Sequence, residues 1–218
     1  MPLTLKNFYK QWWQPWANTL VYYPLENDTN DHSGNSNNLT GTVSYVTSAN
    51  KQVAKFSWNS HLTASSSVVS VQTFTISFWV KLNSNSSEQC LVANANTDSW
   101  INITKFPNSY DIYGLYGPSR WWMNTGPVNP WSWTWVHYVS VFEGSNSIKT
   151  YSNWNLTDQT SISSNIAYPS VNFSLWWSVT RWRNFDGWLS EVIIEDRLWS
   201  AQEISDYFDQ TKSLYWIS

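Results

Sequence analysis

The segment FTISFWVKL, residues 74–82, alternates along its whole length: Phe74, Ile76, Phe78, Val80 and Leu82 fall on one side, Thr75, Ser77, Trp79 and Lys81 on the other. A period of two marks a β-strand, whose successive side chains point to opposite faces. The apolar set predicts a core-facing side and the mixed set a wetter one, as in antiparallel sheets. Further strand-like segments stand on either side of it, at residues 19–25, 52–58, 100–106, 135–142, 148–154, 174–182 and 188–199, separated by clusters of Asn, Ser, Gly and Pro. Short strands between turn signals, with hardly any helical period, predict an all-β antiparallel sandwich. Turns use Asn where Gly is common, as in NDTNDHSGNSNN at 27–38, and Asn tolerates left-handed backbone better than most residues.

One helix is expected near the end of the chain. In WSAQEISDYF, Ser200 is a candidate N-cap, Glu203 completes a capping box, and Trp199 and Ile204 are placed to form a hydrophobic staple. These signals predict a helix over 201–209 that lies as a plug on the edge or rim of the sandwich.

Composition bounds the function. A chain of 218 residues fits one sandwich domain. With 12% charged residues and a net charge of -3, no polybasic field exists to hold nucleic acid or an anionic membrane. No run of about 20 apolar residues could cross a bilayer, and the start, MPLTLKNFYKQWWQPW, lacks the unbroken apolar core of a secretion signal. The single cysteine, Cys90, excludes a disulfide-stapled scaffold and reads as a small buried hydrophobe. Aromatic residues reach 18%, with 18 Trp against only 7 Gly. Indoles on a neutral surface rich in Asn, Ser and Thr suit neutral hydroxylated ligands, sugars above all: an indole packs on the C–H side of a ring while amides and carboxylates bond its hydroxyls. The same indoles serve equally as core filler.

The order of motifs resembles the laminin-G-like domains of the concanavalin A-like lectin/glucanase superfamily. The matching stretches are LVYYPLENDTNDHSGNSNNLTGT from residue 20, FTISFWVK at 74–81, WVHYVSVFEG at 135–144 and GWLSEVIIEDRLWSAQEI at 187–204. The resemblance spans roughly residues 19–210, leaving residues 1–18 as an aromatic N-terminal arm or edge segment and 211–218 as a C-terminal tail. It implies a jelly-roll sandwich of two curved antiparallel sheets, often with bound calcium, and mostly non-catalytic binding roles. Two departures stand out. TYSNWN at 150–155 puts Trp154 in the region of the usual turn glycine, and Ser190-Glu191 leaves one carboxylate where two are common.

Calcium needs several hard oxygens. The turn at 27–35 supplies Asn27, Asp28, Asp31 and Asn35, and the resemblance brings Glu191 beside it, so Asn27, Asp31 and Glu191 are the candidate ligands. The alternative is that the turn residues make Asx bonds and Glu191 is a surface carboxylate. Glu191 and Glu195 share a strand face about 13 Å apart at their backbones, resembling the Glu-x-Asp-x-Glu strand of glucanases, but Ile193 fills the position of the Asp. The histidines His32, His61 and His137 show no ligand spacing, and His137 matches a strand position of the family. Beyond the core, Trp121, Trp122, Trp131, Trp133, Trp154, Trp176, Trp177 and Trp182 are candidate ligand-binding residues. Adjacent Trp pairs on strands cannot both face one core, and Trp131 and Trp133 precede the WVHYVSVFEG strand whereas Trp135 lies within it and reads as structural. Asn-x-Ser/Thr sequons, beginning for example at Asn27, Asn38 and Asn155, read as unglycosylated.

These readings converge on a non-catalytic binding or structural module. A virion component such as a decoration, spike or tail protein is expected first, located on a virion or an extracellular surface. A free carbohydrate-binding lectin is the alternative, and a glycoside hydrolase comes third. The expected partners are other virion or assembly proteins, or glycans. Residues 1–18 either pair with the aromatic tail along a sheet edge or dock into a neighbouring copy as a homo-oligomer contact.

Overall fold

The computed structural model describes residues 17–48, 50–57, 60–83, 88–95, 100–105, 112–116, 121–124, 134–161, 172–175 and 185–216. In chain order its strands are β1 (Thr19–Tyr23), β2 (Leu39–Thr42), β3 (Ser44–Ser48), β4 (Lys51–Phe56), β5 (His61–Ala64), β6 (Thr73–Leu82), β7 (Gln89–Ala95), β8 (Trp100–Lys105), β9 (Ile112–Tyr116), β10 (Trp121–Asn124), β11 (Val136–Glu143), β12 (Ser147–Ser152), β13 (Asn155–Ser161), β14 (Ser174–Leu175) and β15 (Gly187–Glu195). They form two antiparallel sheets. The first runs β13-β12-β11-β6-β15-β4-β3, and the second β10-β9-β8-β7-β14-β5-β2. One side of β15 is shared: Gly187–Leu189 pair with β4, whereas Val192–Glu195 pair with β1. The all-β jelly-roll sandwich expected from the sequence is the fold observed.

The predicted apolar face of β6 is the core. Phe74, Ile76, Phe78, Val80 and Leu82 pack with Leu91, Ile101, Ile103 and Ile112 of the second sheet. Phe74 stacks on Phe142 with centroids 4.1 Å apart, and Phe78 on Tyr138 at 4.8 Å. Gly41 of β2 has φ +137°, and a Cβ there would overlap the His61 carbonyl, so only glycine fits this crossing of backbones.

The opposite face of β6 over residues 74–82 differs from expectation: apart from half-buried Lys81 at its end, it is dry. Thr75, Ser77 and Trp79 are fully buried because helix α1 (Ala201–Thr211) and the 3₁₀ turn Lys212–Tyr215 lie across the outer face of the first sheet, not at its edge or rim. Trp199, Ile204 and Tyr207 pack with Val139, Val141 and Ile193, and Phe208 and Tyr215 pack with Trp79 and Trp135. The residues that read as solvent-facing are the fastening points of this layer. Thr75 Oγ1 donates to the Arg197 carbonyl at 2.7 Å and accepts from Trp199 N–H at 3.0 Å, and Trp79 Nε1 donates to Thr211 Oγ1 at 3.2 Å.

The helix forms as its start signals predict. Ser200 Oγ accepts from Glu203 N–H at 3.2 Å, the Glu203 carboxylate accepts from Ser200 N–H at 2.8 Å, and Trp199 and Ile204 share one apolar cluster. It continues two residues past Asp209, where buried Thr211 meets Trp79. The described part of the tail therefore docks on the sheet face, while residues 1–16 lie outside the described residues.

Candidate functional site

The junction of the opening and closing motifs is built on a β-bulge. Between Ser190 and Ile193 the pairing with β6 shifts by one residue, since Ser190 opposes Trp79 and Ile193 opposes Ser77. Leu189 and Val192 both belong to the core, so Ser190 and Glu191 between them both turn to the outer face. Glu191 itself has φ 53°, left-handed for a non-glycine residue. Its carboxylate meets the Lys51 ammonium through Oε1 and accepts from the Tyr22 hydroxyl through Oε2 at 2.6 Å. Lys51 also pairs with Glu26 at 2.8 Å. Burial opposes the Lys51 charge, but Glu191, Tyr215 and Glu26 outweigh it and hold the ammonium well above the usual lysine range. Burial, and then Glu191, push the Tyr22 phenol up, so it remains a donor.

These contacts decide whether Asn27, Asp31 and Glu191 fit a calcium ion. Asp31 Oδ1 accepts from Tyr22 N–H at 3.1 Å and Ser33 N–H at 2.9 Å, and Oδ2 accepts from Asn37 N–H at 3.0 Å. Asp31 is thus the organiser of its own turn, an Asx-type role. Glu191 is occupied by a lysine and a tyrosine, and Asn27 stands at φ 69° in the turn. As placed, these three side chains do not form a calcium site, and among the described residues no group of three His, Cys, Asp or Glu side chains is arranged to hold a metal. Lys51, Glu26 and Tyr22 were not legible as site residues, because Lys51 and Glu191 are 140 positions apart and no local pattern links them.

The second glutamate of the strand is equally engaged. Glu195 pairs with Arg197 Nε at 2.6 Å and accepts from Trp199 Nε1 at 2.6 Å and Thr19 Oγ1 at 3.3 Å. His137, also under the helix, stacks on Trp79 with centroids 5.1 Å apart and shares a 2.8 Å hydrogen bond with Ser77. Burial pushes its pKa down to about 3, so the ring is neutral and structural. Cys90 is buried, with Sγ donating to Asn102 Oδ1 at 3.0 Å.

Of the candidate tryptophans, Trp131, Trp133, Trp176, Trp177 and Trp182 lie outside the described residues, and Trp121 and Trp122 are consecutive positions of β10, an edge strand of the second sheet. Trp135 is buried against Tyr215 at a centroid distance of 4.9 Å, as its motif position implied. Trp154 is 46% exposed. It sits in the β12–β13 hairpin, where Ser152 opposes Asn155 and the two loop residues, Asn153 and Trp154, have φ 47° and 68°. Positive φ at both positions is the type I′ turn, which favours Gly at the second position. Asn153 anchors the turn, its N–H donating to the His137 carbonyl and its Oδ1 accepting from His137 N–H, each at 2.9 Å. The indole leans on Phe208 of α1 with centroids 4.7 Å apart. Lys212, paired with Asp209 at 2.8 Å, approaches the same Phe208 ring at 5.8 Å. An indole is thereby held out to solvent on a costly backbone, and the Phe208 ring behind it is approached by the ammonium of the Asp209–Lys212 pair, which joins the end of α1 to the 3₁₀ turn.

This architecture defines a lectin-type jelly-roll sandwich. The chain belongs to the concanavalin A-like lectin/glucanases superfamily, whose profile matches residues 56–205. Domain 4 of the extracellular arabinanase AbnA from Geobacillus stearothermophilus, solved with arabinotriose, superposes with a TM-score of 0.70 at 18% identity over 87% of this chain and 97% of that one. The binding domain of Paraclostridial Mosquitocidal Protein 1 gives a TM-score of 0.71 at 20% identity over 88% of this chain and 52% of that one. For botulinum neurotoxin type C, whose cell entry depends upon interaction with two ganglioside molecules, the values are 0.64, 15%, 88% and 51%. The chain thus spans about half the length of the toxin structures. No curated protein sequence matches it. Among the described residues no helix is long and apolar enough to cross a membrane.

Proposed function

We propose that this protein is a non-catalytic binding module whose ligand is a glycan. The observation that carries the reading is Trp154, a half-exposed indole fixed in left-handed backbone and backed by Phe208. A large residue kept in a conformation that disfavours it, at a turn where glycine would serve, points to a role for the side chain itself. Its ring face suits the C–H side of a sugar, and Asn155, Asp209 and Lys212 are of the types that bond hydroxyls. The arabinotriose of the arabinanase domain and the gangliosides of the neurotoxin are both saccharide ligands, which supports the class. The internal pairing of Glu191 and Glu195 supports a non-catalytic role, because retaining glycoside hydrolysis needs two carboxyl groups about 5–5.5 Å apart flanking the bond. The tryptophans at 121, 122, 131, 133, 176, 177 and 182 remain candidates to extend the platform.

A second reading keeps the module as a structural component of a virion, a decoration, spike or tail protein. The 72% exposed indole of Trp216 favours it, since Trp is enriched in protein interfaces. Glycan-array binding by the purified protein, lost in Trp154→Ala at unchanged Tm, supports the first reading. A blank array with co-purification into particles supports the second.

A further inference from the structure

The Lys51 ammonium stands where the opening segment, β1 and the bulge of β15 meet. Its side chain is 6% exposed and pairs with Glu26 and Glu191, while Tyr22 closes the other side of Glu191. The bulge is tied to the opening segment a second time: the Pro24 carbonyl accepts from Glu191 N–H at 3.3 Å and from Ser190 Oγ at 3.2 Å. Left-handed backbone at non-glycine residues gathers at this place. Leu25 at 56° and Asn27 at 69° flank Glu26, and Glu191 stands at 53°. Strained residues persist where the surroundings over-determine them, and here the shared feature is a cation gripped by two carboxylates from distant parts of the chain. Two carboxylates meeting at one positive charge are the kind of oxygen donors that hard cations take.

We propose that Lys51 is a built-in cation: its ammonium does the work that a divalent ion would do in joining Glu26 and Glu191, so that the fold needs no metal at this junction. Removing the ammonium leaves two carboxylates facing one another, and the junction then gains a response to calcium that the native protein lacks.

The test is thermal melting of chelator-treated protein with and without millimolar calcium. The native protein is expected to melt at the same temperature in both. Lys51→Ala is expected to melt roughly 10 °C lower without calcium, the size that follows from opening a buried pair in a chain of this length, and to recover part of that loss when calcium is added. The double variant Lys51→Ala/Glu191→Gln should show no calcium response. A native Tm that rises with calcium overturns the proposal, as does a Lys51→Ala protein that melts like the native one or ignores calcium. Should Lys51→Ala not fold, terbium titration of the native protein decides, with Tyr22 and Tyr215 close by as sensitisers: silence supports the built-in cation, and sensitised emission displaced by calcium overturns it.

Discussion

The indole of Trp79 and the ring of Tyr215 stack with centroids 4.1 Å apart and planes 17° from parallel. The pair is the middle of a row of rings crossing the outer face of the first sheet: Trp154 on Phe208 at 4.7 Å, Phe208 on Trp79 at 5.6 Å, and Tyr215 on Trp135 at 4.9 Å. The exposed hairpin indole is thus connected through packed rings to the helix and the sheet. Removing a fully buried aromatic side chain costs about 3–5 kcal/mol. Tyr215→Ala should lose stability on that scale in urea unfolding, far more than truncation of exposed Trp216.

Thr75 tests whether the polar face of β6 fastens the helix layer. Its hydroxyl donates to Arg197 and accepts from Trp199. Thr75→Val leaves both backbone groups buried without this partner, at about 1–3 kcal/mol. Thr75→Ser should stay closer to native, because the hydroxyl is kept. A loss in Thr75→Ser as large as that in Thr75→Val would show that the methyl matters as much as the hydroxyl.

His137 makes stability depend on acid. Its folded pKa lies at about 3 because burial disfavours the charged ring, whereas the unfolded value is about 6.5. Between these values the unfolded chain binds more protons than the folded one, so stability rises with pH in that window and falls on acidification. The contribution is fully present above about pH 6.5 and is lost at up to about 1.4 kcal/mol per pH unit below it. Unfolding free energies from pH 7 to 4 should fall more steeply for the native protein than for His137→Gln.

Trp154→Gly separates ligand recognition from folding. Glycine relieves a left-handed residue by about 1–2 kcal/mol while the contact with Phe208 is lost, so the two effects offset and stability should change little. Glycan binding should disappear. A variant that binds as the native protein does would remove Trp154 from the site.

Gly41→Ala should be severely destabilising, since the added Cβ overlaps the His61 carbonyl at φ +137°. Far-ultraviolet circular dichroism and a melting curve would read the loss.

The sequence by itself determined the sandwich and its closing helix. Alternation at 74–82 named the core face of β6 residue by residue, and Ser200 with Glu203 located the helix start, because both signals are local: side-chain direction in a strand and cap geometry are settled within a few residues. The motif order placed Trp135 and His137 correctly as structural. What lay on the other face of β6 was decided only by tertiary structure. Thr75, Ser77 and Trp79 look half-polar in sequence, yet the helix that buries them comes more than a hundred residues later, and no local rule states where an amphipathic helix will dock. The site divides in the same way. The unusual Trp154 was visible as a departure from a turn pattern, but its support by Phe208 was not. Glu191 was visible as an acid at a motif position, but the bulge that turns it outward, and the Lys51 ammonium that meets it, depend on strand register and on a contact across 140 positions. Charge pairing at that separation is a property of the folded surface, which is why the sequence offered Glu191 as a candidate ligand but not the Lys51 that pairs with it.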